Sequence, residues 1–372
     1  MPSSPCPCVR RPGLFVGAKR NPIDRAKCLV YSSYMNNRAY IQHEGKAVED
    51  KRFSHMMAIA LDPRSKYKRG AIRCIISRKG NVEEKGYIDR SELYVVTGDT
   101  FEHFIVGERL QIGNEKEIID QLGGEKLDFL GLEDPDIWID EKTGLTHLYF
   151  TMPFVSKDRD EHLSQIHLGH AVGKDLNSLE MTLPALQADP GGQNTAKEVS
   201  IAPLNNKGIR YNLFESSSIE NKIWYSTVRV GIAENMNEPW QFGETIFHPK
   251  KHNIAWAGGH TSPGPLFSKE FIDMGNGKLL GIMNGREANQ QIGGKTKYGM
   301  FSVGLFIYDY ESGKIDWVSP EPFIQDSEAK TITFASQFVE TGAGEGVLYA
   351  HVDDSFVRAY SLNTAAILAL LP

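Results

Sequence analysis

Apolar and polar positions along this chain trade places over short stretches with a period of two, as half-buried strands do. Clusters of Gly, Pro, Asn, Asp and Lys separate the stretches. Asp136 to Asp140 alternates in this way, Asp140-Glu141-Lys142-Thr143-Gly144 is rich in turn formers, and Thr146 to Thr151 runs back, which predicts a β-hairpin. Pro135 fixes φ and has no N–H to donate, so it belongs at the first residue or the free edge of its strand. Upstream, strands are expected at Lys27 to Tyr34, Ile72 to Ser77, Tyr94 to Thr97 and Phe101 to Val106. Arg38 to His43 and Met56 to Leu61 read as a pair joined by the charged connection Glu44 to Lys51. Asn114 to Leu122 is the one clear helical stretch before the hairpin, with Ile118, Ile119 and Leu122 on one side.

After the hairpin a pattern recurs. Ile166 to Val172, Tyr225 to Val230 and Met300 to Tyr308 each read as a strand followed by a polar turn, and Val357 to Leu362 opens another copy. Trp240 and Trp317 follow two of the turns, and Ile209 to Phe214, Lys278 to Met283 and Glu345 to His351 are matching strands between the copies. The spacing, roughly 55–75 residues, suits four-stranded propeller blades with long loops. A β-helix would need a shorter, stricter period, and a sandwich would rarely need so many strands. The expected fold is therefore all-β, a single five-bladed β-propeller over residues 27–372, preceded by an irregular arm over residues 1–26.

Composition narrows the function. Of 372 residues, 24% are charged and 41% hydrophobic, an ordinary globular balance. A net charge of −6 gives no footprint for nucleic acid, and the sequence has no apolar run long enough to span a membrane. No leader-like segment opens the chain, and the four cysteines form no disulfide framework, so a cytoplasmic location is expected. Cys6 and Cys8 lack the paired spacing of a zinc site, and Cys74 lies in an apolar run as a buried thiol would. His162, His167 and His170 are not at metal-ligand spacing either, since 167 and 170 lie on opposite faces of a strand. No metal or cofactor is expected; a homo-oligomer stays open.

The innermost strands of a propeller converge on one pocket, so polar residues near their ends are candidates for chemistry. Glu133 and Asp134 stand at the mouth of the hairpin. Lys197 and Glu198 precede the strand ending in Phe214-Glu215-Ser216, and His260 sits in a Gly- and Pro-rich stretch before the strand ending in Asn284-Gly285-Arg286. Thr333 to Gln337 precedes the strand reaching His351 and Asp354, and Arg73 lies in the first-blade region. Asp134, Glu198 and Glu215 would come from adjacent blades. Transfer of a glycosyl group to water needs an acid for the departing oxygen and a carboxylate to activate water or attack the sugar, and no metal. Trp138, Trp224, Trp256 and Tyr149 are either sugar-stacking platforms or buried blade aromatics.

These motifs resemble the five-bladed propeller glycosidases, most of all glycoside hydrolase family 130, the mannoside phosphorylases and mannosidases, and more weakly families 43 and 32. Gly131-Leu132-Glu133-Asp134-Pro135-Asp136-Ile137 resembles that family's Gly-x-Glu-Asp-Pro-Arg-Ile segment, whose Asp is the general acid. Lys197-Glu198 resembles its Lys-Asp, and Gly264-Pro265 with Leu279 to Gly285 resembles its Gly-Pro-Pro loop and strand. Phe306 to Phe323 and Tyr349 to Ala359, with Asp354, resemble its closing segments. Two departures stand out: the family's Arg after Glu-Asp-Pro is Asp136 here, and Glu215 stands where phosphorylases carry an Arg.

The resemblance implies a mannoside or similar short oligosaccharide as substrate, and the two departures, acidic where a phosphate pocket needs fixed cations, point to an inverting glycoside hydrolase. Asp134 would be the general acid. Glu215, with Glu198, would activate water. Arg73, Glu133, Lys197, His260, Arg286 and Asp354 would bind substrate. The alternatives are a phosphorylase, in which Arg73, Lys197, His260 and Arg286 gather inorganic phosphate as co-substrate, and a non-catalytic carbohydrate-binding propeller.

Overall fold

A computed structural model of the chain describes residues 39–80, 87–158, 164–189, 194–221 and 223–372. Most of its strands fall into antiparallel runs of four. The first sheet is Met56–Leu61, Arg69–Lys79, Ile88–Gly98 and Phe104–Arg109. The second is Glu133–Ile139, Thr146–Ser156, Ser164–Gly173 and Leu179–Met181. The third is Lys197–Ser200, Arg210–Glu220, Ile223–Ala233 and Gln241–Phe247. The fourth is His260–Leu266, Lys278–Arg286, Phe301–Asp309 and Lys314–Val318, joined to the third by one parallel pair, Ser226 with His260. The fifth is Thr333–Gly342, Glu345–Val352 and Phe356–Asn363, completed by Tyr40–Gln42.

The strand opening each sheet touches its counterpart in the next: first with second, second with third, third with fourth, fourth with fifth, and fifth with first. Side chains on a strand alternate between two faces, so each sheet feeds two cores. Ile59 packs with Val339 and Tyr349 of the fifth sheet, while its neighbour Ala60 packs with Leu148 and Phe150 of the second. Phe214 joins Tyr149 and Leu168 in the core between second and third sheets, and Leu213 joins Phe306 and Tyr308 between third and fourth. The core between fourth and fifth sheets is built on Leu280, Ile282, Phe338 and Leu348. Covering both faces explains why strands such as Thr146–Ser156, buried from Thr146 to Phe154, read as continuous apolar runs rather than clean alternation.

The hairpin at Glu133–Ile139 forms as expected, with Pro135 on a strand that pairs on one side only. The recurring stretches turn out to be the third strands of successive sheets. The helical stretch is the helix Glu115–Gly123, whose Ile118, Ile119 and Leu122 rest on the core between first and second sheets. One pairing is corrected. Tyr40–Gln42 does not pair with Met56–Leu61 but with Phe356–Asn363, and the charged connection carries Val48–Glu49 alongside Phe104 and Ile105. A connection that long imposes no hairpin, and the free edge of the fifth sheet takes the strand instead. The expected strand Lys27 to Tyr34 and the N-terminal arm lie outside the described residues.

Candidate active site

Each opening strand carries one more residue than its partner at the same height. Ala58 is extra against Arg73 and Ile72, Asp134 and Pro135 flank Phe150, Glu198 is extra against Glu215 and Phe214, Gly264 and Pro265 oppose Ile282, and Ser336 is extra against Ala350 and Tyr349. Such β-bulges bend a strand and re-aim a side chain. At Ala58, Asp134 and Glu198 the backbone is left-handed, with φ of 51°, 47° and 48°. Non-glycine residues rarely adopt that region, and where they do the surrounding structure holds them there. Two of these bulges turn carboxyls, Asp134 and Glu198, toward one cavity of about 790 Å3.

Arg73, on the second strand of the first sheet, braces the acidic pair. Its guanidinium donates to Asp134 Oδ1 at 2.9 Å, to Glu133 Oε1 at 2.7 Å and to Ser91 Oγ at 2.9 Å. Burial works to push the Asp134 carboxyl up, but the charges of Arg73 and Lys197 outweigh it and hold the group below the ordinary Asp value. Glu133 is pushed up to about 7 by burial, with Asp134's negative charge adding to it. Glu198 lies within hydrogen-bonding reach of Asp134, and burial, followed by Asp134's charge, lifts its carboxyl well above the ordinary value. The two shifts run in opposite directions, so within the pair Glu198 holds a proton more tightly and Asp134 less tightly than an ordinary carboxyl.

Glu215 lies apart from the cavity lining. It is 2% exposed, and its Oε1 sits 3.0 Å from His260 Nε2 and 3.3 Å from Lys197 Nζ. Burial opposes its ionisation, yet His260 and Lys197 together bring the carboxyl down to about 2. A carboxylate so strongly acidic and so enclosed is a poor base for water; its geometry fixes Lys197 and His260 instead. Asp354, also on the cavity lining, lies 3.1 Å from His351 Nε2; burial would raise its carboxyl, but the bond and charge from His351 bring it below the ordinary value. Asp353 and Asp354 are both left-handed, and Asp353 accepts backbone N–H groups of Lys330, Thr331 and Ile332, which fixes that wall. Arg286 lies among the rings of Tyr298 and Phe301, and its Nε is buried without a partner.

Of the nine residues given catalytic or substrate-binding roles from the sequence, all but Glu215 line this one cavity. Sequence reasoning missed Ser91, which had no signal, His351, named only as part of a stretch, and Tyr87 and Tyr298 on the cavity wall. A smaller channel of about 170 Å3 adjoins the cavity at Asp134 and Glu198 and is lined by Asp136 and Trp138. Burial pushes Asp136 up to about 7, and it faces this channel rather than the cavity. Among the aromatic candidates, Tyr149 and Trp256 are buried, the indole N–H of Trp256 donating to Ser319 O at 2.9 Å; Trp138 stacks with Arg210, and Trp224 stands exposed. His170 is bonded to His147 and Thr182, and His167 accepts the Ala188 N–H; His162 lies outside the described residues. Among the described residues no group of three or more His, Cys, Asp or Glu could hold a metal ion. A wider groove of about 1040 Å3 borders the helix Glu115–Gly123, but its Arg90 and Arg109 are already paired with Asp128, Glu92 and Glu115.

No protein-family model matches the sequence, and no curated protein matches it. Solved structures do. A glycosyl hydrolase from Bacteroides ovatus superposes with a TM-score of 0.56 at 16% identity, covering 84% of this chain and 85% of its own. A β-1,2-mannobiose phosphorylase from Listeria innocua gives 0.55 at 14%, covering 90% and 91%. A mannose phosphorylase from Leishmania mexicana, in complex with phosphate, gives 0.51 at 15%, covering 91% and 93%. The likeness is one of fold. The mostly-β architecture is that of the propeller glycosidases, and the structural neighbours include the mannoside phosphorylases that the sequence motifs resemble.

Proposed function

We propose that this protein is a glycoside hydrolase on a five-bladed propeller, cleaving a mannoside or a similar short oligosaccharide with inversion. The ring of contacts between opening strands supports closure, with Tyr40–Gln42 completing the fifth blade. The observation that carries the reading is the pair Asp134–Glu198: two carboxyls from adjacent strands within hydrogen-bonding reach, their proton affinities pushed in opposite directions, on the wall of a cavity large enough for a sugar. Glycosidic cleavage needs a proton delivered to the departing oxygen. The proton belongs to the pair, and either carboxyl can hand it on, directly or through a sugar hydroxyl.

Charge balance favours water as the nucleophile. Arg73 is occupied by Glu133 and Asp134, and Lys197 and His260 share Glu215. A phosphate pocket needs fixed cations that are not already neutralised. Asp354, its carboxyl held below the ordinary value on the lining of the same cavity, is the candidate to polarise the water, and Glu215 positions Lys197 and His260. The rest of the lining favours phosphorolysis instead: Arg286, Lys297 and Lys330 have no carboxylate partner among the described residues, and the buried Nε of Arg286 is unpaired. Inorganic phosphate would then be the co-substrate.

The test is sugar release from manno-oligosaccharides and aryl mannosides, with and without inorganic phosphate, by the parent and by Glu198→Gln. Free sugar formed at equal rates in both media supports hydrolysis, with kcat/KM of Glu198→Gln lower by about 10²–10⁴-fold. Sugar 1-phosphate formed only with phosphate replaces hydrolysis by phosphorolysis. Sugar binding without turnover by the parent leaves a carbohydrate-binding propeller.

A further inference from the structure

The second and third strands of the third sheet form a hairpin, Arg210–Glu220 with Ile223–Ala233, in unbroken register, and it pairs beside two cavity-lining residues, Glu215 with Lys197 and Ser226 with His260. Glu215 pairs with Val228, Ser217 with Ser226, and Ile219 with Trp224. Since faces alternate, these three pairs share one face. Its lower end, at Glu215, touches His260 of the fourth sheet behind the cavity wall. Its upper end is apolar and exposed: Ile219 is 50% and Trp224 54% exposed. Among the described residues of the tip, the charged side chain is Glu220, which lies on the other face, among His248, Lys250 and Lys251.

An exposed Trp is unusual in this chain, since Trp240 and Trp256 are buried in its cores. Among the described residues, the face above Glu215 carries no charge and sets an indole and an aliphatic side chain above two serines that are already partnered, Ser217 with Thr195 at 2.7 Å and Ser226 with Glu215. An exposed indole beside an aliphatic side chain suits the C–H face of a neutral sugar ring. The climb from Glu215 to Ile219 is four residues, or ~13 Å at the rise of a strand, more than one sugar unit. Tyr298, 41% exposed on the cavity wall, adds an aromatic rim on the fourth-sheet side.

We propose that Ile219 and Trp224 form a distal sugar-stacking platform for the outer units of an oligosaccharide whose scissile end lies in the cavity, so that longer chains are preferred over a disaccharide. This rests on reading the cavity as a glycoside-cleaving site, and the experiment separates the two. Calorimetric affinities of the full chain and of Trp224→Ala are measured for manno-, gluco- and arabino-oligosaccharide ladders, from disaccharide to hexasaccharide. Turnover is measured in parallel. The expected result is an affinity that rises with chain length in the parent for one ladder. In Trp224→Ala it stays flat, losing on the order of tenfold for the longest chain, as truncating an aromatic anchor does, and nothing for the disaccharide. Trp224→Phe keeps most of the gain. An equal loss at every length, length dependence unchanged in the variant, or no binding of any ladder overturns the platform. So does a parent dimer that Trp224→Ala dissociates without altering length preference, which would make the patch a contact between copies. Length-dependent binding without turnover keeps the platform and removes the enzyme reading instead.

Discussion

Replacing Arg73 by Met should destabilise the protein by an amount that grows with pH. Arg73 donates to Asp134, Glu133 and Ser91 at 2.7–2.9 Å, and its side chain is 12% exposed. Met keeps most of the volume and removes the charge. Breaking a buried ion pair by deleting one partner costs about 3–5 kcal/mol, because the other charge is left uncompensated. The stranded groups here are carboxyls, and protons can neutralise them. In the parent, Asp134 has a lowered proton affinity, so its contribution to stability is present above its unfolded value and is lost as pH falls through the folded one. In the variant both carboxyls bind protons more tightly folded than unfolded. Stability is then full below the unfolded values and declines as pH rises toward the folded ones. Glu133, already at about 7 in the parent, moves higher. At pH 4 the difference should shrink to the lost hydrogen bonds, about 1–3 kcal/mol. At pH 8 it should reach about 3–5 kcal/mol. Urea unfolding followed by tryptophan fluorescence at both pH values measures it. A difference that is constant with pH, or a variant more stable than the parent at pH 8, would refute the brace.

Two further outcomes test other parts of the structure. Glu215→Gln removes a carboxylate held at about 2 against an ordinary value near 4.3, so it should cost about 3 kcal/mol at pH 7 and converge with the parent as pH falls toward 2; urea unfolding across that range checks it. Gly304→Ala puts a Cβ 2.2 Å from Trp256 Cζ2 in the core between third and fourth sheets, and thermal unfolding should register an over-packing cost of about 1–3 kcal/mol.

What the sequence disclosed was what local periodicity encodes. The hairpin at Glu133–Ile139, the helix Glu115–Gly123 and the recurring third strands all write their pattern into neighbouring residues. Closure of the fifth sheet does not. Tyr40–Gln42 is three residues long, and its pairing, like the His43–Ser361 bond, joins positions more than 300 residues apart. The residues of the cavity were legible because polar groups near the ends of inner strands must converge. Their proton states were not. Whether Glu198 or Asp134 carries the proton depends on burial and on the reach of Arg73 and Lys197 across three sheets. Glu215 read as a free base because nothing near it in sequence reveals that Lys197 and His260 close on it.

The bulges indicate which part of this site belongs to the scaffold and which to the chemistry. A left-handed non-glycine residue costs on the order of 1–3 kcal/mol, and a design serving catalysis alone would confine that cost to Asp134 and Glu198. Ala58 bears it too, with φ of 51° and a methyl group that can do no proton transfer. Gly264 and Ser336 mark extra residues at the same height in the fourth and fifth sheets. The extra residue is therefore a property of every opening strand, set by how each must bend to approach its neighbours, and it turns the side chain there toward the channel, which Ala58, Asp134, Glu198, Gly264 and Ser336 all line. Small side chains at three of the five positions leave the space open, and the other two carry the adjacent carboxyls proposed as the acid unit. A repeated backbone device thus becomes a site through the identity of two residues, as expected where function is grafted onto a fold rather than implied by it.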